Sequence, residues 1–122
     1  MLLGSPPIAL SDSLPVQLLT PRQSLGNVII ELKGTDKADE IVVIGGHADS
    51  WDIAEGAIDD GGGVLASWHA VRLLKQLGLR PRRTIRAIAF VNEENGDMGG
   101  IQYANDHINE LNKTSIGTLL FW

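Results

Sequence analysis

The chain of 122 residues contains no cysteine, which excludes disulfides and thiolate metal sites. Any metal ion must therefore be bound by histidine, aspartate or glutamate. No run reaches the roughly 18 apolar residues that a membrane-spanning helix needs. The first ten residues have no basic segment before their apolar residues and include Pro6 and Pro7, so they predict no signal peptide. The sequence therefore indicates no particular cellular compartment.

Positive charge is also scarce. Ten Lys and Arg residues stand against fifteen Asp and Glu, which gives a formal net charge of −5. This balance argues against nucleic acid as a partner. Four arginines come closest to a basic cluster, and we interpret them as solvated side chains around a strand: Arg80, Arg82, Arg83 and Arg86. The length suits one small domain with one core.

The pattern of apolar residues predicts an α/β fold. Residues 1–26 contain four prolines and no helical period, so we expect a connector or the tail of an upstream domain. The remaining chain is predicted to form strands at 27–32, 40–45, 84–91 and 115–122 and helices at 64–77 and 100–111. The first helix has an apolar stripe of Val64, Leu65, Trp68, Val71, Leu74 and Leu77. The order β-β-α-β-α-β implies a mixed β-sheet flanked by helices, in which ligands bind beyond the carboxyl ends of the strands.

The first candidate motif follows strand 40–45. His47 and Asp49 are two residues apart, so in an extended segment both side chains point to one face. Asp49 then accepts a hydrogen bond from the far nitrogen of His47, as is typical of histidines that bind metal. The alternative is a loop histidine beside an aspartate that caps a helix.

The second motif is the pair Asp59 and Asp60, which lies between Gly56 and the glycines 61–63 just before the first helix. One interpretation is a helix cap with glycines that permit a tight turn. The other is that the glycines let the backbone approach a metal while one carboxylate bridges two cations.

The third motif, Glu93 and Glu94, follows strand 84–91, and the glycines at 96, 99 and 100 allow the backbone to turn there. One glutamate then binds metal while the other takes a proton from water. A solvated loop is the alternative. His69 and His107 lie within the predicted helices, and we expect ordinary structural or surface roles for both.

In this order and at these junctions, the three motifs resemble the co-catalytic zinc metallopeptidases, which include bacterial leucyl aminopeptidases and glutamate carboxypeptidases. The run from Glu40 to Gly100 carries the resemblance. The stretches 47–52 and 56–63 look most like the plasma glutamate carboxypeptidase branch. The resemblance implies a three-layer α/β/α domain, often secreted or periplasmic, that hydrolyses peptide bonds near a chain terminus of a peptide or dipeptide.

The resemblance also implies roles for individual residues. His47 would bind one zinc ion, Asp59 would bridge two, and Glu94 would bind the other. Glu93 would be the general base that acts on metal-bound water, and Asp49 would orient His47.

The family pattern predicts further Asp and His ligands downstream, yet no carboxylate follows Glu110, and the expected Asp position is Phe121. We therefore expect residues 27–122 to be the N-terminal half of a catalytic domain. Alone, such a fragment should bind zinc weakly and hydrolyse dipeptides barely or not at all. The alternatives are a non-catalytic α/β binding or interaction module, and a deacylase or cyclase on the same scaffold.

Overall fold

The computed structural model describes residues 16–18, 26–110 and 114–116. Within them, the chain forms β1 (Val16–Leu18), β2 (Val28–Leu32), β3 (Lys37–His47), α1 (Gly62–Gln76), β4 (Arg83–Phe90), α2 (Met98–Asp106) and β5 (Thr114–Ile116). A single wide turn, Ala57–Gly61, precedes α1, and its backbone angles at Asp59 and Asp60 are not helical.

The five strands form one mixed sheet in the order β1-β2-β4-β3-β5. β2 is antiparallel to both β1 and β4, whereas β3 is parallel to both β4 and β5. The predicted α/β class is confirmed. β4 therefore lies at the centre of the sheet, and the ends of β3 and β4 meet where His47 is paired with Phe90.

The core is divided between the two faces of the sheet. Successive β4 residues point to opposite sides, so Ala87 packs with Leu32 of β2 and Val71 of α1, while Ile88 packs with Val43 on the other face. Tyr103 of α2 belongs to the second cluster. The two helices thus cover opposite faces and produce three layers.

The structure corrects several element details. Leu65 of α1 and Leu77, which follows the helix, are exposed. The buried residues of α1 are Gly63, Ser67 and Val71, whose four-residue spacing makes a narrower stripe than predicted. α2 begins two residues before its predicted start and ends five before its predicted end. Of the predicted strand 115–122, only residues up to 116 are described, and the rest lies outside the described residues, as does most of the predicted connector 1–26.

None of the helices in the described part of the chain is both long enough and apolar enough to cross a membrane.

The prediction that Arg86 is solvated is wrong. Its side chain is 7% exposed because it lies in mid-strand, on the face of β4 that α2 covers. The guanidinium donates to Glu31 at 2.9 Å, to the Tyr103 hydroxyl at 2.8 Å and to Glu110 at 2.9 Å. By contrast, Arg82 is exposed and pairs with Asp36.

We expect Val71→Ala to lower the free energy of unfolding by about 2 kcal/mol, because it removes roughly two buried methyl groups and leaves a cavity between α1 and the sheet. Leu65→Ala, on the exposed side of the same helix, is the control and should change it by less than about 0.5 kcal/mol. Urea denaturation followed by circular dichroism measures both. Equal effects of the two variants would contradict the burial of Val71 against the sheet.

Candidate metal centre

The candidate site lies at the carboxyl edge of β3 and β4. Because these strands are parallel and adjacent, the segments that leave them start side by side. His47 is the last residue of β3, and Glu94 follows β4 by four residues. Asp59 comes from the wide turn between β3 and α1. The three sequence motifs therefore reach one place from three different segments.

The structure brings His47, Asp59 and Glu94 together. One possible ligand atom from each residue lies within 4.8 Å of the other two. His47 Nε2 is 2.9 Å from Asp59 Oδ1 and 3.8 Å from Glu93 Oε2. One imidazole nitrogen with carboxylate oxygens is a donor set that zinc accepts. The residues thus fit a divalent metal, with Glu93 beside them.

The environment of His47 fixes which nitrogen faces the site. Nδ1 lies 2.9 Å from the backbone carbonyl of Asp49, which can only accept, so Nδ1 carries a proton and Nε2 faces Asp59. Burial lowers the pKa of His47, but the hydrogen bonds to the Asp49 carbonyl and the Asp59 carboxylate outweigh it and raise the pKa overall. A cation at Nε2 would take the place of the second proton.

The predicted hydrogen bond between His47 and the Asp49 carboxylate is wrong, because the backbone carbonyl of Asp49 accepts it instead. Asp49 does lie beside the far nitrogen of the ring, but its Oδ1 is 3.7 Å from Nδ1, beyond a hydrogen bond. The chain turns after His47, so the Asp49 carbonyl takes that position. The carboxylate instead accepts the backbone N–H groups of Glu93 at 3.0 Å and Glu94 at 3.2 Å. Asp49 therefore joins the first motif to the third.

Negative charge is concentrated at this edge of the sheet. Partial loss of hydration, and then the nearby charge of Asp59, raise the pKa of Glu94, to which Glu93 and Asp49 also contribute. Such crowding disfavours the ionised carboxylates unless a cation balances them. The concentration of negative charge therefore favours a bound cation, as the set of possible ligand atoms does.

Asp59 and Asp60 have different surroundings in the structure, which the sequence motif alone did not distinguish. The Asp59 side chain is 65% exposed and faces His47, whereas Asp60 is 1% exposed and lies beneath the site. Of the remaining histidines, His69 is exposed on α1, and the His107 ring stacks on Tyr103 with centroids 4.2 Å apart. Neither belongs to the group that could bind metal among the described residues.

The sequence and the fold match known peptidases. The sequence profile of Peptidase family M28 matches residues 27–120, so the chain belongs to this family. Carboxypeptidase Q of Rattus norvegicus is 44% identical over 90 residues, which are 74% of this chain and 19% of the rat protein. The resemblance to the glutamate carboxypeptidase branch is thereby confirmed, and the chain spans about a fifth of the length of such relatives.

Solved structures agree. A peptidase M28 precursor from Shewanella amazonensis is 51% identical, with a TM-score of 0.69 over 72% of this chain and 20% of that one. LapB from Legionella pneumophila is 25% identical, with a TM-score of 0.71 over 89% of this chain and 31% of the other. The fold of the described residues is therefore that of part of an M28 peptidase domain.

Proposed function

We propose that this chain supplies part of the catalytic centre of a zinc-dependent exopeptidase, which hydrolyses peptide bonds near a chain terminus. The observation that carries the proposal is the convergence of His47, Asp59 and Glu94 within 4.8 Å in a chain that belongs to Peptidase family M28. The name of carboxypeptidase Q favours a carboxypeptidase over a deacylase or cyclase. No observation favours a non-catalytic module.

The proposed ligands divide between two ions as the family resemblance implies. Asp59, exposed and central, would bridge two zinc ions, with His47 on one and Glu94 on the other. When bound, zinc supplies Lewis acidity to the scissile carbonyl and lowers the pKa of water. The donor set and the crowded carboxylates support this assignment, since each would be stabilised by positive charge.

Glu93 is the proposed general base. Its carboxylate is half exposed and reaches within 3.8 Å of His47 Nε2, so it borders the ligands while staying open to substrate. From there it can accept a proton from the attacking water and later deliver it to the leaving amine. The hydrogen bond from its backbone N–H to the Asp49 carboxylate holds the segment in place.

Zinc binding tests the proposal directly on the purified 122-residue chain. We expect weak but measurable affinity in competition with a fluorescent chelator, and His47→Ala should lower it by more than about tenfold, because it removes a direct ligand. His69→Ala, at an exposed position on α1, is the matched control and should bind as the wild type does. If the folded His47→Ala protein kept wild-type zinc affinity, the proposed metal centre would be disproved.

A further inference from the structure

Asp60 is the most deeply buried carboxylate in the described part of the chain, at 1% exposure. Burying a carboxylate is costly unless hydrogen bonds satisfy it. Its Oδ2 accepts the backbone N–H of His47 at 3.2 Å, and its Oδ1 accepts the backbone N–H of Gly63 at 3.0 Å. One side chain thus connects the end of β3 to the beginning of α1.

A helix cap alone does not account for this arrangement. Capping explains the bond to Gly63, whose N–H has no partner within the first turn of α1. It does not explain the bond to His47, which lies thirteen residues earlier on another element. That second bond holds the backbone of a proposed metal ligand.

The glycines around Asp60 show that room is kept for its carboxylate. A Cβ atom at Gly46 would overlap Oδ2, and one at Gly63 would overlap Oδ1. Gly46 immediately precedes His47, and Asp59 immediately precedes Asp60. The carboxylate therefore lies in a cradle formed by the same short segments that carry two of the proposed ligands.

These contacts close a ring. The His47 backbone is bonded to the Asp60 side chain, Asp60 is covalently joined to Asp59, and Asp59 Oδ1 returns to the His47 ring at 2.9 Å. Because the strand end and the turn are otherwise separate segments, this ring fixes the distance between the two ligands. A metal centre with a preorganised ligand pair binds its ion more tightly.

We propose that Asp60 is a positioning residue of the metal centre: it binds no ion itself but holds His47 and Asp59 at the separation that an ion requires. This inference rests on the proposed function, because it assigns the two residues to one metal site. Asp60 is thus expected to raise zinc affinity in addition to any stabilisation of α1 that it provides.

The test is zinc affinity of the full 122-residue chain, by chelator competition, with the melting temperature of each metal-free protein recorded alongside. Asp60→Asn keeps the shape of the side chain but places an amide donor against one of the two N–H groups. We expect it to bind zinc about 10–100-fold more weakly. Asp52→Asn, an exposed aspartate in the preceding loop, is the matched control and should bind as the wild type does.

A second variant keeps the test decisive if Asp60→Asn does not fold. Gly63→Ala leaves Asp60 in the sequence and favours the helix, yet its Cβ displaces the carboxylate from its cradle. A comparable loss of zinc affinity is expected. Either variant, folded and with wild-type zinc affinity, would overturn the positioning role.

Hydrogen exchange of the His47 amide in the metal-free proteins separates this inference from the proposed function. Asp60→Ala should accelerate that exchange, since the His47 amide then loses its side-chain acceptor. If the wild-type chain bound no zinc, both the proposed metal centre and the role of Asp60 in zinc binding would be disproved. Faster exchange in the variant would still show that Asp60 holds the His47 backbone. Unchanged exchange would overturn the inference even if zinc bound.

Discussion

Replacing Glu93 by Gln is expected to lower peptide hydrolysis about 10²–10⁴-fold, the usual contribution of a general base. The amide has nearly the same shape but cannot accept the proton from water. The measurement uses a chimera in which the 90 matching residues of this chain replace their counterparts in rat carboxypeptidase Q, because the match spans only 19% of that protein. A panel of dipeptides serves as substrate, and kcat and KM are determined separately.

The loss should fall on kcat, with KM and zinc content unchanged, since Glu93 is assigned to proton transfer and not to binding. Glu55→Gln, at an exposed position in the loop before the wide turn, is the matched control. Full activity of the Glu93→Gln chimera would disprove the assignment of the base. An inactive parent chimera that still binds zinc would favour the non-catalytic alternative.

Replacing Arg86 by Met is expected to lower the free energy of unfolding by about 3 kcal/mol, the lower end of the cost of breaking a buried ion pair. The methionine retains most of the length and apolar contact of arginine. It leaves Glu31, which is 21% exposed, without its partner and removes the donor to the Tyr103 hydroxyl. Burial alone lowers the pKa of Arg86, but the bonds to Tyr103 and Glu110 outweigh it and raise that pKa, so the charge is retained.

The control for this prediction is Arg82→Met. Arg82 pairs with Asp36 across 2.8 Å, but the two side chains are 66% and 54% exposed, so solvent screens the pair and it should contribute little to the free energy of unfolding. Urea denaturation of both variants gives the comparison. Equal losses would mean that the network around Arg86 contributes no more than a surface pair.

The sequence predicted the sheet and its helices because their signals are local. Continuous apolar runs identified β3 and β4, and a glycine at 78, whose φ is +66°, follows the end of α1. The burial of Arg86 was missed because its partners Glu31 and Glu110 are distant in sequence. Likewise, the exposure of Leu65 depends on which side of α1 faces the sheet, and the small residues Gly63 and Ser67 decide that.

For the site, sequence placed the candidate residues at one edge of the sheet, since strand ends can be located from apolar runs. The detailed contacts could not be predicted in the same way. Whether the carbonyl or the carboxylate of Asp49 reaches His47 depends on backbone angles after β3, which the spacing of two residues does not determine. The glycines beside Asp60 were the available signal for its burial, but they also suited a simple tight turn.

The position of β4 between β2 and β3 has a consequence for the order of folding. Each pairing of β4 joins distant parts of the chain: Leu32 with Ile85 on one side, Ile41 with Thr84 on the other. Such non-local pairings form slowly, because long loops must close before any contact stabilises them. During synthesis, His47 and Asp59 leave the ribosome well before Glu94, and they meet it only when β4 has entered the sheet. We therefore expect the candidate metal centre to assemble late, after β4 has joined the sheet, and not to act as the folding nucleus.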